Sequence, residues 1–219
     1  MLLYFAPLAC SLAPRVVAAE AGIELDFVQV DFRTKLLPET GADYRDVAPL
    51  GLVPLLHLDD GTKLIEVSAI VQYLADRNPA AGLAPPWGSK QRYELLEWLS
   101  FTATEHHKKV LWPLFNRPTS EDAKQFARHA AQAVFDHLER RLADRTYALG
   151  ERFSVADAYI GWALCLSPYA KLDLGERPAL RAYTERVLSR PSFREAIAFE
   201  TPLAAAALKR QKLPVPARE

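Results

Sequence analysis

The chain has 219 residues, half of them hydrophobic and a quarter charged, the composition of an ordinary globular protein with room for one large domain or two small ones. Lys+Arg and Asp+Glu each total 27, so the formal net charge is zero and the basic footprint of a nucleic-acid binder is missing. Apolar runs stay short of the roughly 18 residues that span a bilayer, so neither nucleic acid nor membrane is expected as a partner.

The first 80 residues alternate strand and helix signals. Leu2 to Phe5 reads as a short buried strand. Pro7 interrupts it, and no basic segment precedes it, so a secretory leader is not expected. Ser11 is a candidate N-cap, its side-chain oxygen placed to accept a backbone N–H. Pro14 fits the first helical turn, and Gly22 supplies a left-handed stop. Leu25, Phe27 and Val28 to Val30 form a second strand, followed by a polar stretch from Lys35 to Val47 with a loose helix. Val53-Pro54 leads into a third strand through Leu58. Asp59-Asp60-Gly61 turns the chain tightly because glycine takes positive φ cheaply, and Thr62 to Ile65 returns. Past Glu66, residues Ala69, Ile70, Tyr73 and Leu74 give helical spacing that ends at Asn78-Pro79.

Residues 78–89, with three prolines and two glycines, read as a linker. Beyond it strand signals vanish. Leu96, Leu99, Ala103 and Val110 fall on one face of a helix over 89–112, at about 100° per residue. Further helices are expected over 123–142, 155–170, 179–188 and 192–199. Ser154-Val155-Ala156-Asp157 has the pattern of a capping box, which explains that pair as a folding device and not a site. Cys10 and Cys165 share no short spacing, which argues against a disulfide framework or a zinc site and fits a reducing cytosol.

Several pieces in this order and spacing resemble the cytosolic glutathione transferases, and among them the bacterial beta class. They are Ala9-Cys10-Ser11-Leu12-Ala13 after the first strand, Val53-Pro54, Asp59-Asp60-Gly61, and Glu66 with the run from Ala69 to Asp76. Glu97-Trp98-Leu99, the run from Ala103 to Lys108, and Phe153 to Tyr159 complete the set. The resemblance implies an α/β plus all-α fold: an N-terminal thioredoxin-like domain (βαβαββα) over 1–78, a linker at 79–88, an all-helical domain over 89–208 and a mobile tail at 209–219. It also implies a cytoplasmic homodimer that uses glutathione as co-substrate, without metal, in detoxification.

For the site, the resemblance implies Cys10, Ser11 and His107 at the glutathione sulfur, with His106 as the neighbour should the register shift by one. A thiolate is the nucleophile, and a free thiol titrates near about 8.5, so the site must favour negative sulfur. Free N–H groups at a helix N-terminus do this, and Cys10 and Ser11 stand at one. A partly buried imidazole at 107 can donate to a thiolate or accept its proton. Lys35 is implied at the glycyl carboxylate. Leu52, Val53 and Pro54 would form a loop with a cis bond, whose Val53 backbone pairs with the cysteinyl part of the ligand. Glu66, Val67 and Ser68 would hold the γ-glutamyl end.

The chain departs from the pattern around this site. Val67 stands where a serine usual in the family follows the acid, with Ser68 one place later. Phe5 replaces a tyrosine, Leu8 a glycine, Ala48 an asparagine and Leu166 a tryptophan. The leading expectation is conjugation of glutathione to apolar electrophiles. Monothiol redox chemistry on Cys10 and a non-catalytic binding module on the same fold are the alternatives.

Overall fold

The computed structural model describes residues 1–116 and 118–210. Among the described residues one four-stranded sheet forms, in the order β2-β1-β3-β4. Strand β1 is Leu2–Phe5, β2 is Asp26–Gln29, β3 is Leu55–His57 and β4 is Lys63–Ile65. β2 runs parallel to β1, pairing Leu3 with Phe27. β3 runs antiparallel to β1, pairing Leu3 with Leu56, and β4 antiparallel to β3. The parallel pair needs a crossover, which helix α1 (Leu12–Ala21) supplies, ending at Gly22 with φ 65°. The antiparallel pair needs only the turn at residues 59–61, with Gly61 at φ 87°. The expected loose helix after β2 shrinks to one 3₁₀ turn, Tyr44–Asp46. Helix α2 (Val67–Arg77) closes this half.

Helix α3 (Lys90–Phe101), a π-helical stretch (Thr102–Leu111) and α4 (Trp112–Phe115) form one continuous rod. Of the expected face, Leu99 and Val110 are buried and Leu96 and Ala103 half-buried, while Arg92, Leu95, Trp98, Thr102 and His106 also face inward. At about 100° per residue these positions keep one register from Arg92 to Val110, and the face is turned toward Thr102 and His106, where helix α5 (Glu121–Leu142) packs on the π-helical stretch. Helix α6 is Val155–Cys165, α7 is Pro178–Leu188 and α8 is Pro191–Arg210.

Helix α6 stops five residues before the expected end, and turns occupy 166–171. Helix α8 runs well past the expected end at 199, because Pro202 removes only one N–H while the helix stays packed on α1. Lys209 and Arg210 are therefore helical. The rest of the tail expected at 209–219, residues 211–219, lies outside the described residues.

One apolar core joins the halves. Leu3, Val16 and Leu56 of the sheet half are continuous with Leu99, Phe135, Ile160 and Phe193 of the helical half. The opposite face of the sheet carries a smaller cluster of Ala6, Val30, Tyr44, Val53 and Leu55. Ion pairs cross the junction as well: Arg190, just before α8, grips Glu20 of α1 through two bonds of 2.8 and 2.6 Å. At the start of α6 the buried carboxylate of Asp157 accepts from the N–H of Ser154 and of Ala148 and from the hydroxyls of Ser154 and Tyr183. The pair is a cap that also ties α6 to α7.

Candidate functional site

Several segments converge beyond the sheet: the β1–α1 loop, the stretch after β2, the loop before β3, β4 with the β4–α2 junction, the π-helical stretch with α4, and α6 with the turn after it. Between them lies a cavity of about 470 Å³, a volume usual for a small-molecule site. One wall is polar, with Cys10, Glu66 and His107; the other is apolar, with Phe32, Leu111, Trp112, Phe115 and Leu166. Among the described residues no group of His, Cys, Asp and Glu could hold a metal ion, and no helix is long and apolar enough to cross a membrane.

Cys10 sits at the entry to α1, where the backbone N–H groups of residues 10 and 11 favour negative sulfur. Its thiol nevertheless donates to the carbonyl oxygen of Val53 at 3.3 Å and is 8% exposed. Burial outweighs those N–H groups and the nearby Lys108 ammonium, and pushes the thiol up to about 12. At neutral pH it is a hydrogen-bond donor, not a thiolate. Ser11 corrects an expectation. It is fully buried, and its hydroxyl donates to the Ala6 carbonyl (3.2 Å) and accepts the Ala6 N–H (3.3 Å). It makes no side-chain cap to α1 and stays outside the cavity lining, bracing the β1–α1 loop from behind.

His107 lines the cavity. Its Nδ1 lies 2.8 Å from the hydroxyl of Tyr159, and its ring meets Trp162 edge-on at 4.7 Å between centroids. Burial, with the Lys108 charge second, pulls the imidazole down to about 3, so it is neutral at physiological pH. The neutral pair owns two protons, one ring N–H and one phenolic O–H. One proton joins the two groups, so the other remains to be donated, whichever tautomer holds. His106 faces the opposite way. It is 1% exposed, edge-on to Phe135 of α5, and neither ring nitrogen has a hydrogen-bond partner among the described residues. It does not line the cavity, because its ring is packed between the rod and α5 against Phe135.

The Val53–Pro54 bond is cis, and Leu52, Val53 and Pro54 all line the cavity. The Tyr44 hydroxyl fixes the Leu52 carbonyl at 3.0 Å, while the Val53 N–H has no partner among the described residues. Glu66 takes φ 70° at the start of α2 and is exposed at the cavity edge, followed by Val67 in the lining. The first-turn N–H groups of Val67 and Ser68 are likewise unpaired among the described residues.

Two expected contacts differ. The Ser68 hydroxyl turns to the Leu99 carbonyl (3.5 Å), because one residue further into α2 a side chain faces α3 and not the cavity. Lys35 stays outside the lining, held by a tight turn onto Asp31 with its ammonium 3.8 Å over the ring of Phe32.

Tyr159 and the two lysines Lys63 and Lys108 stand in the lining without having been singled out for a role from the sequence. Tyr159 carried a signal, two residues after the capping Asp157. The lysines carried none that separates them from surface charge. Of the residues departing from the family pattern, Phe5 packs behind the sheet against Phe27 and Phe199. Tyr4 faces Tyr44 on the other side, as strand alternation requires.

Residues 9–77 match the family described as Glutathione S-transferase, N-terminal domain, and residues 101–191 match Glutathione S-transferase, C-terminal domain. The glutathione S-transferase GstA of Escherichia coli O157:H7 is 40% identical over 200 residues, 91% of this chain and 98% of that protein. A sphingomonad glutathione S-transferase solved in complex with glutathione has 41% identity and a TM-score of 0.86, covering 92% of this chain and 99% of that one. A beta-class glutathione S-transferase of Sphingomonas chungbukensis has 40% identity and a TM-score of 0.86, covering 91% and 98%.

Proposed function

The chain belongs to the glutathione S-transferase family, and we propose on that premise how its own residues bind glutathione and activate its sulfur for conjugation to an apolar electrophile. The observation that carries the reading is that backbone donors without a partner among the described residues and a neutral His–Tyr pair face one cavity from opposite halves of the chain.

In this reading the Val53 N–H and carbonyl pair with the cysteinyl residue of glutathione as a short added strand. The carbonyl is engaged by the Cys10 thiol in the free protein. When the ligand's N–H takes that carbonyl, the Cys10 S–H is released to donate to the glutathione sulfur. The remaining proton of the His107–Tyr159 pair donates to the same sulfur, and the Lys108 ammonium favours its negative charge. The N–H groups of Val67 and Ser68 take the γ-glutamyl carboxylate in place of the family's serine hydroxyl, and Glu66 takes the ammonium. Lys35 reaches the glycyl carboxylate by leaving the face of Phe32. The electrophile occupies the apolar wall formed by Leu111, Trp112, Phe115 and Leu166.

We further place the domain boundary in the linker at 79–88 and assign the chain to the cytoplasm as a homodimer acting in detoxification. Sedimentation at micromolar concentration tests the dimer, and a monomer there would refute it.

Calorimetric titration with reduced glutathione tests the site. Saturable binding in the micromolar to low-millimolar range supports it. No binding at millimolar ligand would mean that Val67 and the occupied Val53 carbonyl have disabled the site.

A further inference from the structure

Leu8 stands two residues before Cys10 and lines the cavity. Its φ is 58°, left-handed backbone that is costly for a leucine and free for a glycine. Two groups from the helical half grip the residue. Glu200 of α8 accepts the Leu8 N–H at 2.7 Å, and the indole Nε1 of Trp162 on α6 donates to the Leu8 carbonyl at 3.1 Å. These partners lie 192 and 154 residues away in sequence.

Both grips are themselves braced. The Glu200 carboxylate is fully buried and takes a second bond from Nε of Arg15 at 2.7 Å. That guanidinium lies 3.6 Å over Phe27, 4.8 Å from the ring of Phe5 and 4.6 Å from that of Phe199. Trp162 packs edge-on against His107 at 4.7 Å. The indole that holds the Leu8 carbonyl therefore also positions the imidazole facing the cavity.

We propose that Leu8 is a positioning residue for the conjugation reaction, locked in left-handed backbone by Glu200 and Trp162 so that the loop carrying Cys10 stands at a set distance from the His107–Tyr159 pair. The idea rests on the reading of this cavity as the glutathione site. Losing either grip lets Leu8 relax to negative φ, and the loop from Ala6 to Ser11 moves with it. A glycine in place of Leu8 holds the left-handed conformation without help, so its loop needs the grips far less.

A double-mutant cycle tests this. Trp162→Phe removes the indole donor but keeps a ring against His107, and Glu200→Gln keeps the shape at α8 while weakening the grip on the N–H. Each is made in the parent chain and in the Leu8→Gly variant. The readouts are kcat/KM for conjugation and the pH at which bound glutathione ionises, followed by thiolate absorbance. In the parent background Trp162→Phe is expected to lower kcat/KM about tenfold or more and to raise the ionisation pH. In the Leu8→Gly background the same change costs no more than about threefold. Glu200→Gln follows the same pattern.

Any effect of Trp162→Phe exerted on His107 alone is equal in both backgrounds and cancels. Equal losses in the parent and in the Leu8→Gly background, in a chain that binds glutathione and turns over, would overturn the inference and leave the glutathione reading intact. Failure of the unsubstituted chain to bind glutathione would overturn both.

Discussion

At the scale of single residues, environment sets the state of the Cys10 thiol and separates two adjacent imidazoles, His107 in the cavity lining and His106 outside it. Cys10 is a thiol because burial outweighs the helix N-terminus and Lys108, and its apparent value of about 12 makes it inert at pH 7. We expect iodoacetamide to label Cys10 of the free protein negligibly at pH 7.5, and to do so only above about pH 10. Mass spectrometry reads this, and ready labelling at neutral pH would show that the thiolate is stabilised without ligand.

Tyr159 is expected to matter as much as His107, since the pair shares its protons. Tyr159→Phe should cost about tenfold in kcat/KM and raise the ionisation pH of bound glutathione by about one unit. An unchanged ionisation pH would place the phenol outside the reaction.

His106 is a buried imidazole held down to about 4 by desolvation alone, without a partner among the described residues. A histidine whose folded value lies below its unfolded value, near about 6.5, contributes stability that is full above that pH and lost as pH falls toward 4. The loss reaches about 3 kcal/mol at pH 4 for a shift of this size. His106→Phe should therefore shrink the stability difference between pH 7 and pH 5 by about 2 kcal/mol, as urea melts at the two pH values would record. A variant with the same acid limb as the parent would contradict it.

The elements show what local patterns carry and where they stop. Gly22, the Asp59-Asp60-Gly61 turn and the Ser154–Asp157 cap were legible because each acts within a few residues along the chain. The rod over 90–115 was legible as a helix, with Leu99 and Val110 on its inward face, but its π-helical middle was not. Asp157 shows the added value of tertiary contacts. As a cap it is worth about 1 kcal/mol, yet as a buried acceptor of four bonds, one from Tyr183 of α7, it is worth more. Asp157→Ala should lower stability by about 3 kcal/mol or more, read by chemical denaturation. A cost near about 1 kcal/mol would reduce it to the cap alone.

Across the whole molecule, the two halves share one core and are pinned by Arg190–Glu20, Arg15–Glu200 and Trp162–Leu8. Such a junction should unfold with its halves. Tryptophan fluorescence, which reports mainly the helical half, and far-UV circular dichroism are expected to give coincident transitions. Arg190→Ala removes a two-pronged, partly buried pairing and should cost about 1–2 kcal/mol without splitting the transition. Separate transitions in the parent chain would show that the junction is weaker than its contacts imply.

The order of strands and helices and Cys10 at a helix entry follow from the sequence, because periodicity, turn chemistry and motif spacing act over short stretches of chain, and the cis bond before Pro54 followed from the family resemblance. Where Ser11 and Ser68 send their hydroxyls, and the partnership of His107 with Tyr159, 52 residues away, were decided only in three dimensions. The reason is physical. A side chain's direction depends on rotations accumulated along its element and on surfaces brought to it from elsewhere. A π-helical turn, or a buried carboxylate reaching a loop 192 residues distant, leaves no local mark.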